Sequence, residues 1–272
     1  LRERGTRTMI MADLGDPLGG SSCTECGSCL QVCPTGAIID ARSAYGGHEE
    51  DLTHTQTTCV QCSVGCAIDV ASRGSRLVRV NGVWDAAPSG GLLCVAGRFE
   101  PLYEERARVT QPIVRRNGVQ VETSWDEALT LVAQKLKEGG AVGLTDAATS
   151  NEALGAFAKL FAGLGGVAGR LGPAASELGF GQPARIQDIL EADFVIVAGA
   201  DPLAQQRVIG YLINRAADQG AEVALIGVKN SLLSERAVLD VPNGGAAEVV
   251  ERAAQASKPV VVYGAGLRPQ VV

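Results

Sequence analysis

Basic charge, aromatic residues and long apolar runs are all scarce in this chain of 272 residues. The formal net charge is −6, so no broad basic field is available to attract nucleic acid. No apolar run approaches the roughly 20 residues of a transmembrane helix. Aromatic side chains make up only 4% of the chain, whereas 34 glycines allow close backbone approach. We therefore expect neither a nucleic-acid partner nor a direct membrane span.

An export signal is also lacking. No charged-then-apolar segment opens the sequence, and Arg115-Arg116 lies too far inside to be a twin-arginine signal. Cysteines in such a chain are expected to be reduced, which indicates the cytoplasm and argues against a disulfide framework. Because the sequence starts at Leu1 and stops soon after its last predicted strand, we also expect it to be an excerpt of a longer polypeptide.

The cysteines form two groups with different spacings. The first cysteine group, which reads C-x2-C-x2-C-x3-C and is followed by Pro34, consists of Cys23, Cys26, Cys29 and Cys33. The second cysteine group, which reads C-x2-C-x3-C and ends after a long gap, consists of Cys59, Cys62, Cys66 and Cys94. The first spacing is typical of bacterial ferredoxins, in which the Cys-Pro cysteine serves a different 4Fe–4S cluster from its neighbours. We predict that all eight thiolates bind the iron of two or more 4Fe–4S clusters.

Other ligand assignments remain open. Structural zinc also favours paired cysteines, and the second group could form a zinc site. If Cys23, Cys26 and Cys29 share one cluster, its fourth ligand is missing from this sequence. We expect that ligand to lie before Leu1; alternatively, Cys33 closes a single local cluster. The linker residues His48 and His54 are expected to be solvated rather than metal-bound.

Hairpins and parallel strands are predicted around and after the second group. Asn81-Gly82 and Asn117-Gly118 are each typical of a two-residue hairpin turn between short strands. From about Val109 onward, apolar strands alternate with helices, which is the pattern of a parallel sheet covered on both faces. Ser124, Thr149 and Asp201 are predicted to cap three of these helices.

The predicted fold class is therefore α+β and multidomain. We expect a ferredoxin-like 4Fe–4S segment with its linker over residues 1–52 and a small β-rich 4Fe–4S domain over 53–108. An incomplete, doubly wound α/β domain with a parallel sheet is expected over 109–272.

The runs CVQCSVGC at 59–66 and GLLCVAGRF at 91–99 resemble the iron–sulfur portion of the molybdopterin oxidoreductase superfamily. That superfamily includes formate dehydrogenases and the G-type subunit of respiratory complex I. Residues 23–38 resemble the two-cluster ferredoxin domain found ahead of this module in NAD-linked formate dehydrogenases and related hydrogenases.

Two departures from the resemblance affect the expected function. Catalytic relatives place a lysine two residues after the fourth cysteine, where this chain has Ala96. They also supply a metal ligand after the first α/β helix, where this chain offers no cysteine and only Ser176 as an oxygen candidate. These departures indicate that the molybdenum chemistry is either lost or lies outside this chain, so we expect iron–sulfur clusters and no bound molybdopterin.

We expect an electron-transfer subunit of an NAD(P)H-linked oxidoreductase complex, and not its catalytic site. Its implied partners are a flavin-bearing diaphorase subunit and a hydrogenase or dehydrogenase subunit. The first alternative is the N-terminal part of a molybdenum or tungsten formate dehydrogenase. The second is a zinc-stabilised assembly protein without redox activity.

Overall fold

The computed structural model of the chain describes residues 5–7, 13, 15, 21, 23–146, 149–171, 183–242, 245–264 and 266. Two compact units are formed, one by residues 1–103 together with 175–272 and the other by residues 104–174. The cysteine segments are followed by a parallel sheet, which confirms the predicted fold class. The boundaries at 52 and 108 stay a prediction, and the segment 109–272 contributes to both units.

The first cysteine group lies on a loop and a short helix. Helix α1 spans Ser28–Val32, and Gly27 precedes it with a φ of 69°. Glycine adopts this left-handed conformation without steric conflict, so the chain can turn sharply between Cys26 and the helix. Cys29 lies within α1 and Cys33 immediately follows it.

A three-stranded antiparallel sheet follows. Its strands are β1 at Thr53–Thr58, β2 at Ala67–Arg73 and β3 at Arg76–Gly82, in the order β1-β2-β3. Strand β1 contains His54, which was expected to be a linker residue. All six of its residues are exposed, so no apolar alternation marks it as a strand. Its order comes from backbone pairing with β2.

The hairpin turn predicted at Asn81-Gly82 is wrong. Both residues belong to β3, and β2 is joined to β3 around Gly74, which has a φ of 59°. A Cβ atom at Gly82 would overlap the backbone of Gly91. Glycine at position 82 therefore serves a close approach of two backbone segments, which the sequence pattern does not distinguish from a turn.

Strands β2 and β3 lie between Cys66 and Cys94 along the chain, as predicted. Helix α2, at Val95–Arg98, begins directly after Cys94, and a 3-10 helix follows at Glu100–Tyr103.

The unit formed by residues 104–174 contains a hairpin and a small α/β motif. Its elements are β4 at Ile113–Arg116, β5 at Val119–Glu122, α3 at Trp125–Lys137, β6 at Val142–Thr145, α4 at Asn151–Leu164 and β7 at Val167–Arg170. The hairpin turn at Asn117-Gly118 is confirmed, with φ values of 51° and 82°.

Helix starts in this unit agree with the sequence to within one residue. The Ser124 side chain caps α3 by accepting a hydrogen bond from the Glu127 amide at 3.2 Å. Helix α4 is capped by Ser150, so the prediction of Thr149 is wrong by one position. Strand β7 pairs in parallel with β6.

The second half of the other unit is a four-stranded parallel sheet with helices. Its elements are β8 at Phe194–Ala198, α5 at Pro202–Gln205, α6 at Arg207–Asp218, β9 at Glu222–Ile226, β10 at Leu239–Val241, α7 at Ala247–Gln255 and β11 at Pro259–Tyr263. The strand order is β10-β9-β8-β11. Asp201 caps α5 with a proline at its first position, as predicted.

Side chains of β8 and β9 point alternately into two cores on opposite faces of this sheet. Val195 and Val223 pack in the core that contains buried residues of α6, whereas Phe194 and Ala224 pack with Val249 of α7. The sheet is therefore covered on both faces.

The core beneath α6 is continuous with the cysteine region. The same buried cluster contains Cys59, Cys66 and Leu93 together with Val195 and Ile213. Leu93, directly before Cys94, has no exposed surface. The parallel sheet and the second cysteine group therefore share one apolar interior.

Candidate iron–sulfur site

Four thiols of the second group converge on one partly buried region. Cys59 and Cys66 are buried, and Cys62 and Cys94 are partly buried. The loop is closed by a 2.8 Å hydrogen bond from the Cys59 amide to the Cys66 carbonyl oxygen. A Cβ atom at Gly97 would come within 3.2 Å of Cys59 Sγ, so the glycine leaves room beside this sulfur.

Burial controls the acidity of this group in the metal-free chain. It raises the pKa of the Cys59 thiol and raises the pKa of the Cys66 thiol to about 12. The neighbouring cysteines of the group raise both values further, because thiolates repel one another. Thiolates, and not thiols, bind metals, so occupation of this site must release protons. A donor set of four converging sulfurs fits an iron–sulfur cluster.

The first group is more open. Cys23 and Cys29 are exposed, and Cys26 and Cys33 are partly buried. The pKa of Cys33 is lowered to about 7 by the Thr35 hydroxyl, 3.6 Å from its sulfur, and then by the backbone N–H of Ile38. A thiol with this pKa is already partly ionised at neutral pH, as a metal ligand requires.

A single metal ion has no site among these side chains. In the part of the chain that the structure describes, no three His, Cys, Asp or Glu side chains lie close enough together to hold one ion. Tetrahedral zinc needs four ligands at about 2.0–2.3 Å. In an iron–sulfur cluster, by contrast, each of the four cysteine sulfurs binds a different iron atom.

Arg98 connects the two cysteine groups directly. Its amide donates a 3.0 Å hydrogen bond to the Cys94 carbonyl oxygen, and its side-chain Nε donates a 2.8 Å hydrogen bond to the Cys26 carbonyl oxygen. Cys26 and Arg98 are separated by 72 positions in the sequence. One residue therefore bridges the backbone of a first-group cysteine and that of a second-group cysteine.

Gln31 of α1 reinforces this connection. Its Nε2 donates to the Gly82 carbonyl oxygen at 2.6 Å, and its Oε1 accepts from the Gly82 amide at 3.0 Å. The same Oε1 accepts a 3.0 Å hydrogen bond from Arg98. The helix between Cys26 and Cys33 is thus fixed to the end of β3.

Tyr211 of α6 also contacts the first cysteine loop. Its hydroxyl donates a 3.1 Å hydrogen bond to the Thr24 carbonyl oxygen. Burial raises the pKa of the Tyr211 hydroxyl, and the nearby Cys94 raises it further. The parallel-sheet segment therefore helps to position the loop that carries Cys23 and Cys26.

Sequence reasoning identified the cysteines but not the residues that hold them together. A signal for Arg98 was present, because it lies four positions after Cys94 and therefore one helical turn from it. The sequence contains no comparable signal for Gln31 or Tyr211, whose partners are remote in sequence.

Comparison with known proteins gives three family matches. Residues 21–39 match the 4Fe-4S binding domain, residues 52–103 match the molybdopterin oxidoreductase Fe4S4 domain, and residues 108–270 match molybdopterin oxidoreductase itself. The chain belongs to the molybdopterin oxidoreductase family. Within that family it is an iron–sulfur protein that binds 4Fe–4S clusters, as predicted.

Several curated members of the family are similar to it. A G-type NADH-quinone oxidoreductase subunit of Rhizobium meliloti is 38% identical over 52% of this chain and 17% of the relative. NADH-quinone oxidoreductase subunit 3 of Thermus thermophilus is 33% identical over 76% and 26%. A proposed formate dehydrogenase of Bacillus subtilis is 29% identical over 78% and 24%. The chain thus spans from 17% to 26% of the length of these relatives.

A solved structure shares the fold over part of the chain. Acetylene hydratase from Pelobacter acetylenicus superposes with a TM-score of 0.50 at 14% identity, over 68% of this chain and 29% of that one.

No helix in the described part of this chain is long and apolar enough to cross a membrane.

Two positions bear on the molybdenum alternative. Ala96, on α2 between Cys94 and Arg98, carries only a methyl group where catalytic relatives were expected to have a lysine. Ser176, the candidate oxygen ligand, lies outside the described residues.

Proposed function

We propose that this chain is an iron–sulfur electron-relay subunit of an NAD(P)H-linked oxidoreductase complex. It would pass electrons between a flavin-bearing diaphorase subunit and the terminal site of a hydrogenase or dehydrogenase subunit. The relatives named as NADH-quinone oxidoreductase subunits support a place in such a multisubunit assembly.

The bridge through Arg98 carries this proposal. Arg98 donates hydrogen bonds to the carbonyl oxygens of both Cys94 and Cys26. A single side chain therefore spans the distance between the two cysteine groups, which lie in the same compact unit. Two redox sites so arranged can serve as consecutive stations on one path.

The surroundings of the cysteines suit this task. A bound 4Fe–4S cluster supplies one-electron transfer, at potentials of roughly −700 to +450 mV that the protein adjusts. Buried Cys59, Cys66 and Leu93 limit water access to the second group. The exposed Cys23 and Cys29 leave the first group accessible, so it is the better candidate for the station that faces a partner subunit.

The ligand assignment is part of the proposal. We assign the second group to one cluster and Cys23, Cys26 and Cys29 to another. Cys33 lines a cavity of about 280 Å³ together with Ile38, Arg79 and Arg98, and the other first-group cysteines do not line it. This placement favours Cys33 as the ligand of a further cluster. Iron and sulfide analysis of the full polypeptide should then give three or more clusters, whereas two would assign Cys33 to the local one.

Cys62→Ser tests the relay. It removes one thiolate of the second group, and we expect the loss of one electron paramagnetic resonance (EPR) signal and of electron throughput in the assembled complex. Ser63→Ala, at the adjacent position, removes no thiol and should leave both unchanged. Unchanged throughput in a Cys62→Ser complex that has lost its signal would exclude the relay.

The second candidate is the first portion of a molybdenum or tungsten formate dehydrogenase. The match of residues 108–270 to molybdopterin oxidoreductase and the Bacillus subtilis relative favour it. Ala96 argues against it. Metal analysis of the full polypeptide discriminates the two: stoichiometric molybdenum or tungsten would support catalysis, and iron alone would support the relay.

A further inference from the structure

Arg98 is a buried cation with an unusual set of partners. Its exposed fraction is 3%, and among the described residues no carboxylate forms an ion pair with it. Its hydrogen bonds go to neutral oxygens: the carbonyls of Cys26 and Val80 and the side-chain amides of Asn81 and Gln31, at 2.8, 3.1, 3.4 and 3.0 Å. These four bonds involve all three nitrogens of the guanidinium but leave its charge uncompensated.

A buried charge without a counter-charge is unfavourable, because the interior solvates it poorly. Burial accordingly lowers the pKa of Arg98, whereas the nearby Cys26 and Cys29 raise it. Arginine keeps its proton under all ordinary conditions. The negative charge that balances it must therefore come from the cysteine side of the site.

The fit is close as well as electrostatic. A Cβ atom at Gly27 would overlap the Arg98 side chain and come within 2.9 Å of the Phe99 ring. The guanidinium thus lies directly against the backbone of the loop between Cys26 and Cys29, with no room for an intervening side chain. Its position is set by four hydrogen bonds and by this contact.

We propose that Arg98 is a positioning residue that supplies the counter-charge for the cluster held by Cys23, Cys26 and Cys29, and thereby raises its reduction potential. Reduction adds one negative charge to a cluster. A fixed positive charge in a poorly solvated place stabilises the reduced form more than the oxidised form. This inference rests on the proposed function only in the assignment of a cluster to the first group.

The test is an EPR-monitored redox titration of the assembled complex with substituted Arg98. Arg98→Gln keeps hydrogen-bond donors for the carbonyl partners but removes the charge. We expect it to shift the oxidised-to-reduced ratio of the first-group cluster about tenfold toward oxidised at a fixed potential, which is about 59 mV for one electron. The second-group cluster in the same sample should shift less, because the guanidinium is hydrogen-bonded to the Cys26 carbonyl oxygen and lies against Gly27 in the first cysteine loop.

Two further variants separate charge from structure. Arg98→Lys keeps the charge and loses the planar fork of donors, so its potential should stay near that of the wild type. Arg79→Gln is the matched control, because Arg79 lines the same cavity but already pairs with Glu49 at 2.8 Å. It should shift the first-group potential much less than Arg98→Gln.

Several outcomes would overturn the inference. An unchanged first-group potential in Arg98→Gln would do so, as would equal shifts in the Gln and Lys variants, which would indicate a structural role alone. If Arg98→Gln fails to assemble the first-group cluster, Arg98→Lys decides: a wild-type potential supports the inference, and a tenfold shift contradicts it. The two proposals can fail separately. If Arg98→Gln lowers electron throughput but leaves the potentials unchanged, this inference is wrong and the relay is retained. If Arg98→Gln shifts the first-group potential but Cys62→Ser leaves throughput unchanged, the relay is wrong and this inference is retained.

Discussion

Gly27 and Gly36 have nearly the same backbone conformation, with φ values of 69° and 66°, but different surroundings. Alanine at either position should cost about 1–2 kcal/mol for the left-handed conformation. A Cβ atom at Gly36 meets nothing within 4 Å, whereas one at Gly27 meets Arg98 and Phe99. Gly27→Ala should therefore cost a further ~1–3 kcal/mol through overpacking and reduce first-group cluster content. Unfolding free energies and integrated EPR signals measure both effects.

Gly36→Ala is the control for backbone strain in this comparison. Equal destabilisation by the two substitutions would contradict the close contact between Gly27 and Arg98. Unchanged cluster content in Gly27→Ala would show that the loop can move away without affecting its ligands.

His54 forms an exposed charge network on the small antiparallel sheet. Its Nδ1 lies 2.6 Å from Asp69 Oδ2 and its Nε2 lies 3.0 Å from Glu49 Oε1. The hydrogen bond with Asp69 is the main cause that raises the pKa of His54. The raised pKa favours the imidazolium in the folded chain. Its stabilising contribution is therefore fully present below about pH 6.5 and is lost as the pH rises through the folded-state pKa.

Asp69→Asn should lower the His54 pKa, because the amide removes the negative partner. A histidine-selective NMR titration measures this directly, and the chain has only two histidines to assign. His54→Gln should lower the protection of the β1 amides against hydrogen exchange more at pH 5.5 than at pH 8.5. The same effect at both pH values would mean that the charge pair contributes nothing to the strand.

For individual residues, the sequence predicts those properties that depend on residue type and spacing, such as the binding of iron by cysteine. Cysteine spacing alone was enough to predict iron–sulfur binding at 23–33 and 59–94, which the family matches confirm for the cofactor. It could not indicate the Arg98 bridge, because Cys26 and Arg98 meet only through the fold of 72 intervening positions. The assignment of each thiolate to a cluster stays a prediction.

Among the helices and strands, Asp201 has two tasks at the start of α5. Its Oδ1 accepts hydrogen bonds from the Leu203 amide at 3.2 Å and from the Ser231 hydroxyl at 3.0 Å. Asp201→Ala should cost about 1–2 kcal/mol for the lost cap, and it leaves the buried Ser231 without this acceptor. Urea denaturation under anaerobic conditions measures the loss.

Asp201→Asn is the matched variant, because asparagine retains a capping oxygen. It should be destabilised by much less than Asp201→Ala. Equal losses in both variants would mean that the carboxylate charge, and not the cap, stabilises this helix.

Two identical dipeptides show what element prediction can and cannot achieve. Asn117-Gly118 forms the turn that its pattern predicts, because both residues have positive φ values there. Asn81-Gly82 continues β3 instead, because pairing with β2 and the approach of Gly91 determine its conformation. Local propensity was overridden by tertiary contacts. Strand β1 was not predicted for the same reason, because its extended conformation depends on backbone pairing with β2.

Over the whole molecule, the parallel sheet and the second cysteine group depend on one apolar interior. Ile213 of α6 is fully buried in the core that also contains Cys59 and Cys66. Ile213→Ala should cost about 2–5 kcal/mol. We also expect it to make the second-group cluster more sensitive to oxygen, whereas an exposed substitution such as Leu232→Ala should not. Iron release followed by absorbance provides the comparison, and equal release rates would contradict a shared core.

The layered α/β architecture was predictable because buried parallel strands are apolar along their whole length. The partition of residues 109–272 between two compact units was not, since it depends on contacts between segments distant in sequence.

The most direct test of the central claim, that the two cysteine groups form adjacent stations of one electron path, is low-temperature EPR of the fully reduced complex. We compare the wild type with Cys26→Ser, which lacks the first-group signal, and with Cys62→Ser, which lacks the second-group signal. Because Arg98 holds Cys26 and Cys94 within one residue's reach, the wild-type spectrum should show magnetic splitting that neither variant shows. A wild-type spectrum equal to the sum of the two single-cluster spectra would contradict the account.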